Sequence, residues 1–233
     1  MSEVTWRNGA LEVSAEAVIT NLPAATRRRS YYQAIKRTAD LVLAGAGLLV
    51  LGPVFLLLAL VIRLDSRGSA FFSQVRVGEG GQEFRCWKFR SMYVDAEERK
   101  AELETENEMA GGVIFKMKRD PRITRVGRFI RKSSIDELPQ LWNVFIGDMS
   151  LVGPRPEQPK FVERFRSRYP TYNVRHRVRA GITGWAQVNG LRGDTSIRQR
   201  IVHDLYYIEN WSFGLDMRIL WRTIRLALHD VKS

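Results

Sequence analysis

The stretch Leu41–Ile62, LVLAGAGLLVLGPVFLLLALVI, decides how the rest of this chain is read. It runs for 22 residues without a charge. As a helix rising 1.5 Å per residue it would be about 33 Å long, against roughly 30 Å for a hydrocarbon core. The segment therefore belongs at a bilayer. Pro53 removes one backbone donor and crowds the preceding turn, so a helix through Gly52-Pro53 is expected to bend or break there. In lipid the freed carbonyl needs a partner, which neighbouring protein, water or a shallow position can supply.

The flanks sharpen the topology. Arg27, Arg28, Arg29, Lys36 and Arg37 precede the run, and Arg63, Arg67 and Arg76 follow it. Positive residues mark cytoplasmic ends, and here both ends carry them. A helix that enters, turns at Pro53 and returns to the same face satisfies both; a kinked single span with weak charge bias is the alternative. A cleaved signal peptide is not expected, because the run starts forty residues in and no clear small-residue cleavage site follows.

The whole chain of 233 residues has 37 Lys and Arg against 25 Asp and Glu, a formal charge of +12. Such a surplus suits anionic headgroups, phosphorylated substrates or nucleic acid. The charge is interleaved with Trp, Tyr, Phe and Leu, the pattern of a surface facing anionic membrane lipids. Zinc-finger spacing, basic-zipper heptads and ribonucleoprotein aromatics are all missing from the sequence, so no nucleic-acid partner is expected. The single cysteine, Cys86, precludes an internal disulfide and sits in an apparent strand, FRCWKF, as a small core residue rather than a catalytic thiol.

The fold class expected is α/β, mainly helical with a small β-hairpin or sheet, membrane-associated through an N-terminal re-entrant helix and interfacial amphipathic helices. Residues 1–26 read as a loosely ordered arm, 27–67 as the membrane helix and 68–233 as one domain at the cytosolic face. Phe71–Val77 and Glu83–Phe89 flank a glycine-rich turn and read as a hairpin. Asp95–Glu106 is a charged, solvated helix or connection. Ile123–Lys132 is a basic amphipathic helix, Ser134–Phe145 begins another, and Glu157–Tyr169 is a third that ends at Pro170. Gly181–Gly193 holds four glycines and reads as a shaped loop. Two closing helices are expected over Thr195–Asn210 and Gly214–His229, the last with Met217, Leu220, Trp221, Ile224 and Leu228 on one face and Arg218, Arg222 and Arg225 on another.

Three features downstream carry candidate chemistry. In SSIDELPQ, Ser134 with Glu137 matches a capping box, and acids suit a helix start, with Pro139 in the first turn. Read instead as function, Asp136 and Glu137 are two carboxylates at a rigid helix start among Arg128, Arg131 and Lys132, which would keep both ionised. One could attack phosphorus while the other holds magnesium. Arg155 stands between Pro154 and Pro156, on a stiff backbone suited to presenting a planar fork to phosphate. Lys88 and Arg90 alternate at a strand end and could clamp a diphosphate, or simply form a solvated face.

The order and wording of these features are more informative than any one. KFRSM, then DPRITRVGRFIRKSSIDELPQLWNVFIGDMSLVGPRPE, then RAGITGWAQVNGLRGDT and HDLYYIENWSFGLDMRIL, over residues 31–230, closely resemble the bacterial sugar transferases known as monotopic phosphoglycosyl transferases. The resemblance implies transfer of a sugar 1-phosphate from a UDP-sugar to undecaprenyl phosphate, with release of UMP, at the start of exopolysaccharide or related glycan synthesis. It implies a catalytic domain on the cytoplasmic face of the bacterial inner membrane. It maps the family's acidic dyad onto Asp136, as nucleophile, and Glu137, as a magnesium ligand; both carboxylates are candidate ligands for Mg2+. Arg155 would contact phosphate, with Lys88 and Arg90 as weaker phosphate-binding candidates. The family's re-entrant helix breaks at a small residue plus proline; here Gly52 replaces the serine often found before Pro53. Larger relatives carry further membrane helices and a soluble domain ahead of this unit, so the sequence reads as the minimal catalytic form. GITGWAQVNGLRGDT resembles members acting on UDP-glucose more than those transferring galactose 1-phosphate. The rival from another class is a non-catalytic basic membrane adaptor, and homo-oligomerisation is left open.

Overall fold

The computed structural model describes residues 5–7, 10–12, 27–99, 117, 120–193 and 195–230. Two three-residue strands, β1 (Thr5–Arg7) and β2 (Ala10–Glu12), pair antiparallel within the expected arm, whose remaining residues lie outside that set. The 39-residue helix α1 (Arg27–Asp65) follows and stays helical through Pro53. Its Tyr32–Asp65 portion is long and apolar enough, by length and composition, to cross a membrane.

One stripe of α1 is covered and the rest is bare. Asp40, Ala44 and Ile62 are buried, whereas Leu49 is 82% and Leu56 75% exposed, with Val50, Leu57, Leu60 and Leu64 also outward. The buried positions recur at helical spacing, so the helix lies along the domain and turns its other faces outward. Gly45 and Gly47 permit close approach of Phe145 and Leu141.

Strands β3 (Phe71–Val77) and β4 (Glu83–Phe89) form the expected hairpin, in register from Phe71 opposite Phe89 to Val77 opposite Glu83. Most of the charged segment Asp95–Glu106 lies outside the described residues. Helix α2 (Arg125–Lys132) is capped by Thr124, whose hydroxyl accepts from Gly127 N at 2.9 Å. A single 3-10 turn, Ile135–Glu137, leads into α3 (Gln140–Ile146), then β5 (Met149–Val152), α4 (Pro159–Arg168), a 3-10 segment (Tyr172–Arg177) and β6 (Ala180–Thr183). The chain closes with the short α5 (Trp185–Val188), α6 (Ile197–Glu209) and α7 (Phe213–Asp230).

Three expectations are corrected. The capping box does not form: Ser134 is left-handed, at φ 57°, its side chain caps nothing, and the Glu137 carboxylate turns away to two cations. Glu157 is not helical but buried before α4, paired with Arg76 and Arg200. The glycine-rich stretch is not all loop, because Ala180–Thr183 pairs in parallel with β5 and Trp185–Val188 is helical. Glycine serves close backbone packing there: a Cβ on Gly181 would lie 2.1 Å from Gly153 N.

Four apolar clusters hold these pieces. The largest joins Val152 of β5 to Tyr207, Ile208 and Ile219 of α6 and α7. Another packs Phe165 and Tyr172 on Ile201 and Leu205. Ala44 of α1 meets Cys86, Val144 and Met149, which places the lone thiol in the core, free and buried. At the far end of α1, Ile62 packs with Ala70, Phe89 and Ile130, with Ile135 against them. The 3-10 turn bearing Asp136 is thereby seated where the apolar helix meets the hairpin.

Candidate active site

The site is assembled by two turns and a strand end from separate parts of the chain. The first is the turn between α2 and α3. Ser134, the one non-glycine residue with positive φ among those described, reverses the chain just before Ile135–Glu137. A left-handed non-glycine residue costs on the order of 1 kcal/mol, a strain of the kind held at functional sites. The reversal directs Glu137 toward the end of β4 and the turn after β5.

Glu137 is fully committed. Lys88 Nζ donates to Oε1 at 2.7 Å, and the Arg155 fork donates bidentately, Nη1 to Oε2 at 3.0 Å and Nη2 to Oε1 at 2.5 Å. Burial alone would raise the Glu137 pKa, but Arg155 and Lys88 outweigh it and hold the carboxyl far below its usual range. Asp136 has the opposite character. Burial pushes its carboxyl up, against Lys88, with the Glu137 charge adding to the rise. Among the described residues no side chain or amide donates a hydrogen bond to it. The cations expected beside the two acids were Arg128, Arg131 and Lys132; those that hold Glu137 ionised are Lys88 and Arg155. Adjacent carboxylates are differentiated into one pinned by cations and one left without a hydrogen-bond donor.

Lys88 reaches Glu137 because β4 is tied to α3. Asn143, fully buried, accepts from Trp87 N at 2.9 Å and donates to Arg85 O at 2.7 Å and to Asp148 Oδ2 at 3.0 Å. Sequence reasoning passed over Asn143; its signal is an amide on the apolar face that Leu141 and Val144 otherwise fill.

Arg155 is carried on the turn Gly153–Pro156 that leaves β5. The backbone N–H of Gly153 donates to Thr183 O and that of Gly181 to Pro154 O, each at 2.9 Å, so the parallel strand pair fixes the base of this turn. Arg90, in contrast, is not brought to the carboxylates. Its buried guanidinium donates to Ser66 O at 2.6 Å, to Ile62 O at 3.4 Å and to Arg67 O, closing the C-terminal end of α1. These contacts serve the helix end. Gly52 and Pro53 lie in α1, and a Cβ at Gly52 would meet nothing within 4 Å.

No cage of three or more His, Cys, Asp or Glu side chains occurs among the described residues. Magnesium does not need one, since it is commonly held by one or two carboxylates plus substrate phosphates and waters. Asp136 supplies an open carboxylate of this kind, and Glu137 a second whose present partners are cations. As the site stands, Asp136 alone could offer an uncommitted carboxylate to a magnesium ion, which would take its other ligands from a diphosphate and water, while Glu137 would first have to exchange a cation.

An open carboxylate beside two cations, one of them a bidentate arginine, can bind a diphosphate and attack it. The family described as bacterial sugar transferase matches residues 31–230. A UDP-N-acetylgalactosamine-undecaprenyl-phosphate N-acetylgalactosaminephosphotransferase from Aeromonas hydrophila is 45% identical, over 84% of this chain and 44% of its own. A UDP-glucose:undecaprenyl-phosphate glucose-1-phosphate transferase from Escherichia coli K12 is 42% identical, over 82% and 39%. A galactosyl transferase from Streptococcus agalactiae is 46% identical, over 83% and 42%. The chain thus spans about two fifths of the length of these relatives. With its family match running through every loop that builds the carboxylate–arginine site, the chain belongs to the bacterial sugar transferase family.

Proposed function

We propose that this protein is a phosphoglycosyl transferase that moves a hexose 1-phosphate from a UDP-sugar to undecaprenyl phosphate in two steps. In the first, an Asp136 carboxylate oxygen attacks the β-phosphorus of the UDP-sugar. The bond from that phosphorus to the bridging oxygen breaks, its electrons leave with UMP, and an aspartyl phosphosugar remains. In the second, a phosphate oxygen of undecaprenyl phosphate attacks the same phosphorus and Asp136 leaves as carboxylate. The product is undecaprenyl-diphosphate sugar.

The observation that carries this reading is the asymmetry of the dyad. A nucleophile needs a lone pair free of donors, and Asp136 has one; Glu137 is immobilised by Lys88 and Arg155. Arg155 and Lys88 stand beside the dyad, bonded to Glu137, and charge-assisted contacts from their remaining N–H groups to a diphosphate would favour the transition state. Magnesium held by Asp136 and Glu137 would neutralise the diphosphate and the departing monophosphate. A two-step route also spares the site from holding two polyanions at once. The relatives named above act on glucose, galactose or N-acetylgalactosamine donors at similar identity, and UDP-glucose is favoured here, with UDP-galactose next, from the loop around Gly181–Gly193.

In this reading α1 is re-entrant and the catalytic domain lies on the cytoplasmic face of the inner membrane. Both ends of the helix bond to the same domain. At one end Lys36 pairs with Asp216 at 2.7 Å, Arg37 donates to Val144 O and Phe145 O, and Asp40 accepts from Leu151 N. At the other, Asp65 accepts from Val126 N and Arg90 closes the last carbonyls. Ends tied to one domain suit a helix that dips and returns, although α1 is continuous through Pro53, and its bare leucines would then face lipid. Exposed Phe129, Trp142, Phe145 and Trp221, with arginines nearby, suit a surface seated among anionic headgroups.

The deciding experiment uses a UDP-hexose labelled at the β-phosphate, without acceptor. A labelled protein should form, be absent in Asp136→Asn, and be discharged by undecaprenyl phosphate. Failure to label, with UMP release only when both substrates are present, would overturn the two-step reading. A panel of UDP-sugars assayed for UMP release identifies the donor. Cysteine labelling at positions 2 and 233, after replacing Cys86, tests topology; ends reached from opposite sides would refute re-entry.

A further inference from the structure

The turn that carries Arg155 poses a problem of anchorage. Pro154 and Pro156 stiffen it internally, but neither has an N–H with which to bind the turn to the rest of the domain. Besides the Gly153 N–H bonded to Thr183 O at its base, the turn is held through carbonyls, and three consecutive ones are held by three different elements. Pro154 O accepts from Gly181 N of β6 at 2.9 Å. Arg155 O accepts from Arg175 Nη2, in the 3-10 segment, at 2.8 Å. Pro156 O accepts from Arg76 Nη1, in β3, at 3.0 Å.

The two side-chain anchors are guanidinium groups brought indoors with their counter-ions. Arg175 and Asp204 are both buried, at 5% and 2% exposure, with Nε and Nη2 on Asp204 Oδ2 at 3.0 and 2.8 Å. The Tyr172 hydroxyl accepts a further Arg175 bond at 2.9 Å. Arg76 faces Glu157 at 3.8 Å, and Glu157 is shared with Arg200 at 3.4 Å. Stability alone does not ask for this arrangement, because a buried ion pair is often replaced by apolar residues of similar volume at no loss. Its distinguishing feature is that in both arginines an N–H left over from the ion pair points at the backbone of the turn.

From this juxtaposition we infer that Arg175, paired with Asp204, and Arg76, paired with Glu157, are positioning residues that fix where Arg155 presents its fork. The inference rests on the reading above in which Arg155 contacts the donor diphosphate. Both Nη atoms of Arg155 already hold Glu137, so the N–H groups they leave over have to meet phosphate oxygens within a few tenths of an ångström. A turn free to rock about its prolines would lose that register without unfolding anything. The consequence is specific: loosening the turn weakens the hold on the nucleotide sugar and leaves the lipid acceptor untouched.

The test uses the full chain in detergent or nanodiscs, assayed for UMP release. Arg175→Met with Asp204→Leu removes both buried charges together, so neither is stranded. Arg76→Met leaves Glu157 with Arg200. Each should raise the KM for the UDP-sugar roughly tenfold, the size expected for one lost charge-assisted bond, with the KM for undecaprenyl phosphate unchanged. Arg175→Lys, which keeps the Asp204 pair and one donor, should recover part of the loss. Folded variants with an unaltered donor KM would overturn the inference. So would a fall in Vmax with both KM values unchanged, the signature of fewer folded molecules. Should the double variant fail to fold, Arg76→Met decides by the same criteria. A wild-type protein that releases no UMP would sink the proposed function and this inference with it; an active wild type with indifferent variants would sink the inference alone.

Discussion

Replacing Glu137 with Gln keeps the shape of the side chain and deletes the charge that Lys88 and Arg155 share. Breaking one partner out of a buried pair costs about 3–5 kcal/mol. The Lys88 side chain is 18% exposed and that of Arg155 35%, so water can take up part of the freed charge. About 2 kcal/mol is therefore expected at pH 7, or ~4–8 °C in the thermal midpoint of a chain this size. The pH dependence carries the sharper signature. The folded pKa of Glu137 lies below its ordinary 4.5, so its contribution is present above that value and fades as the pH falls toward the folded pKa. In that window the unfolded chain binds a proton that the native one refuses, which removes about 1.4 kcal/mol of stability per pH unit. The Gln variant lacks this loss. Over the last unit, pH 4.5 to 3.5, the unfolded group is only part protonated and the loss is about 1 kcal/mol. Thermal melts of both proteins in detergent between pH 7 and 3.5 should therefore show the gap between them shrinking by ~2–4 °C there. A gap that stays constant with pH, or a Gln variant as stable as wild type, would refute the claim that this carboxylate is held ionised by its two cations.

Asp136→Asn should act in the opposite sense on stability while ending catalysis. UMP release should fall by at least ~10³-fold, on the scale of losing a nucleophile, yet the thermal midpoint at neutral pH should rise, because burial disfavours the Asp136 charge. Gly181→Ala sets a Cβ against Gly153 N and Thr183 O, at 2.1 and 2.5 Å, so β5 and β6 must part. A loss of about 3 kcal/mol is expected, with a raised donor KM, because the Arg155 turn rides on this strand pair. Arg90→Met should destabilise the chain by ~1–3 kcal/mol through the carbonyls it leaves bare at the end of α1, while the donor KM of the folded fraction stays as in wild type. A raised donor KM there would restore Arg90 to the phosphate site.

Much of the fold was legible wherever a local signal was strong. The hairpin follows from alternating residues around Gly78–Gly81 and has the expected ends. Helices α6 and α7 fall within a few residues of their expected spans, since their apolar spacing continues to the caps. The failures share a cause. Ser134 and Glu137 satisfy the wording of a capping box, but a carboxylate offered a bidentate arginine and a lysine gains more from them than from one amide. Ala180–Thr183 is too short and glycine-rich to read as a strand, and only its partner β5, some thirty residues earlier, makes it one. Lys88 and Arg90 look equivalent at alternate positions. The nearest unsatisfied acceptors separate them, a carboxylate for Lys88 and helix-end carbonyls for Arg90.

The sequence by itself determined that the chain carries a helix long and apolar enough to cross a bilayer, and the order in which its acids, arginine and lysine follow one another. Those are properties of composition and local wording. Which acid is free and which is bound, which cation serves the site and which serves the helix end, were decided only by the tertiary structure. The reason is that ionisation and hydrogen bonding depend on neighbours within a few ångströms. Residues 88, 137 and 155 meet at that range only after β4, the Ser134 turn and the β5–β6 pair have folded together.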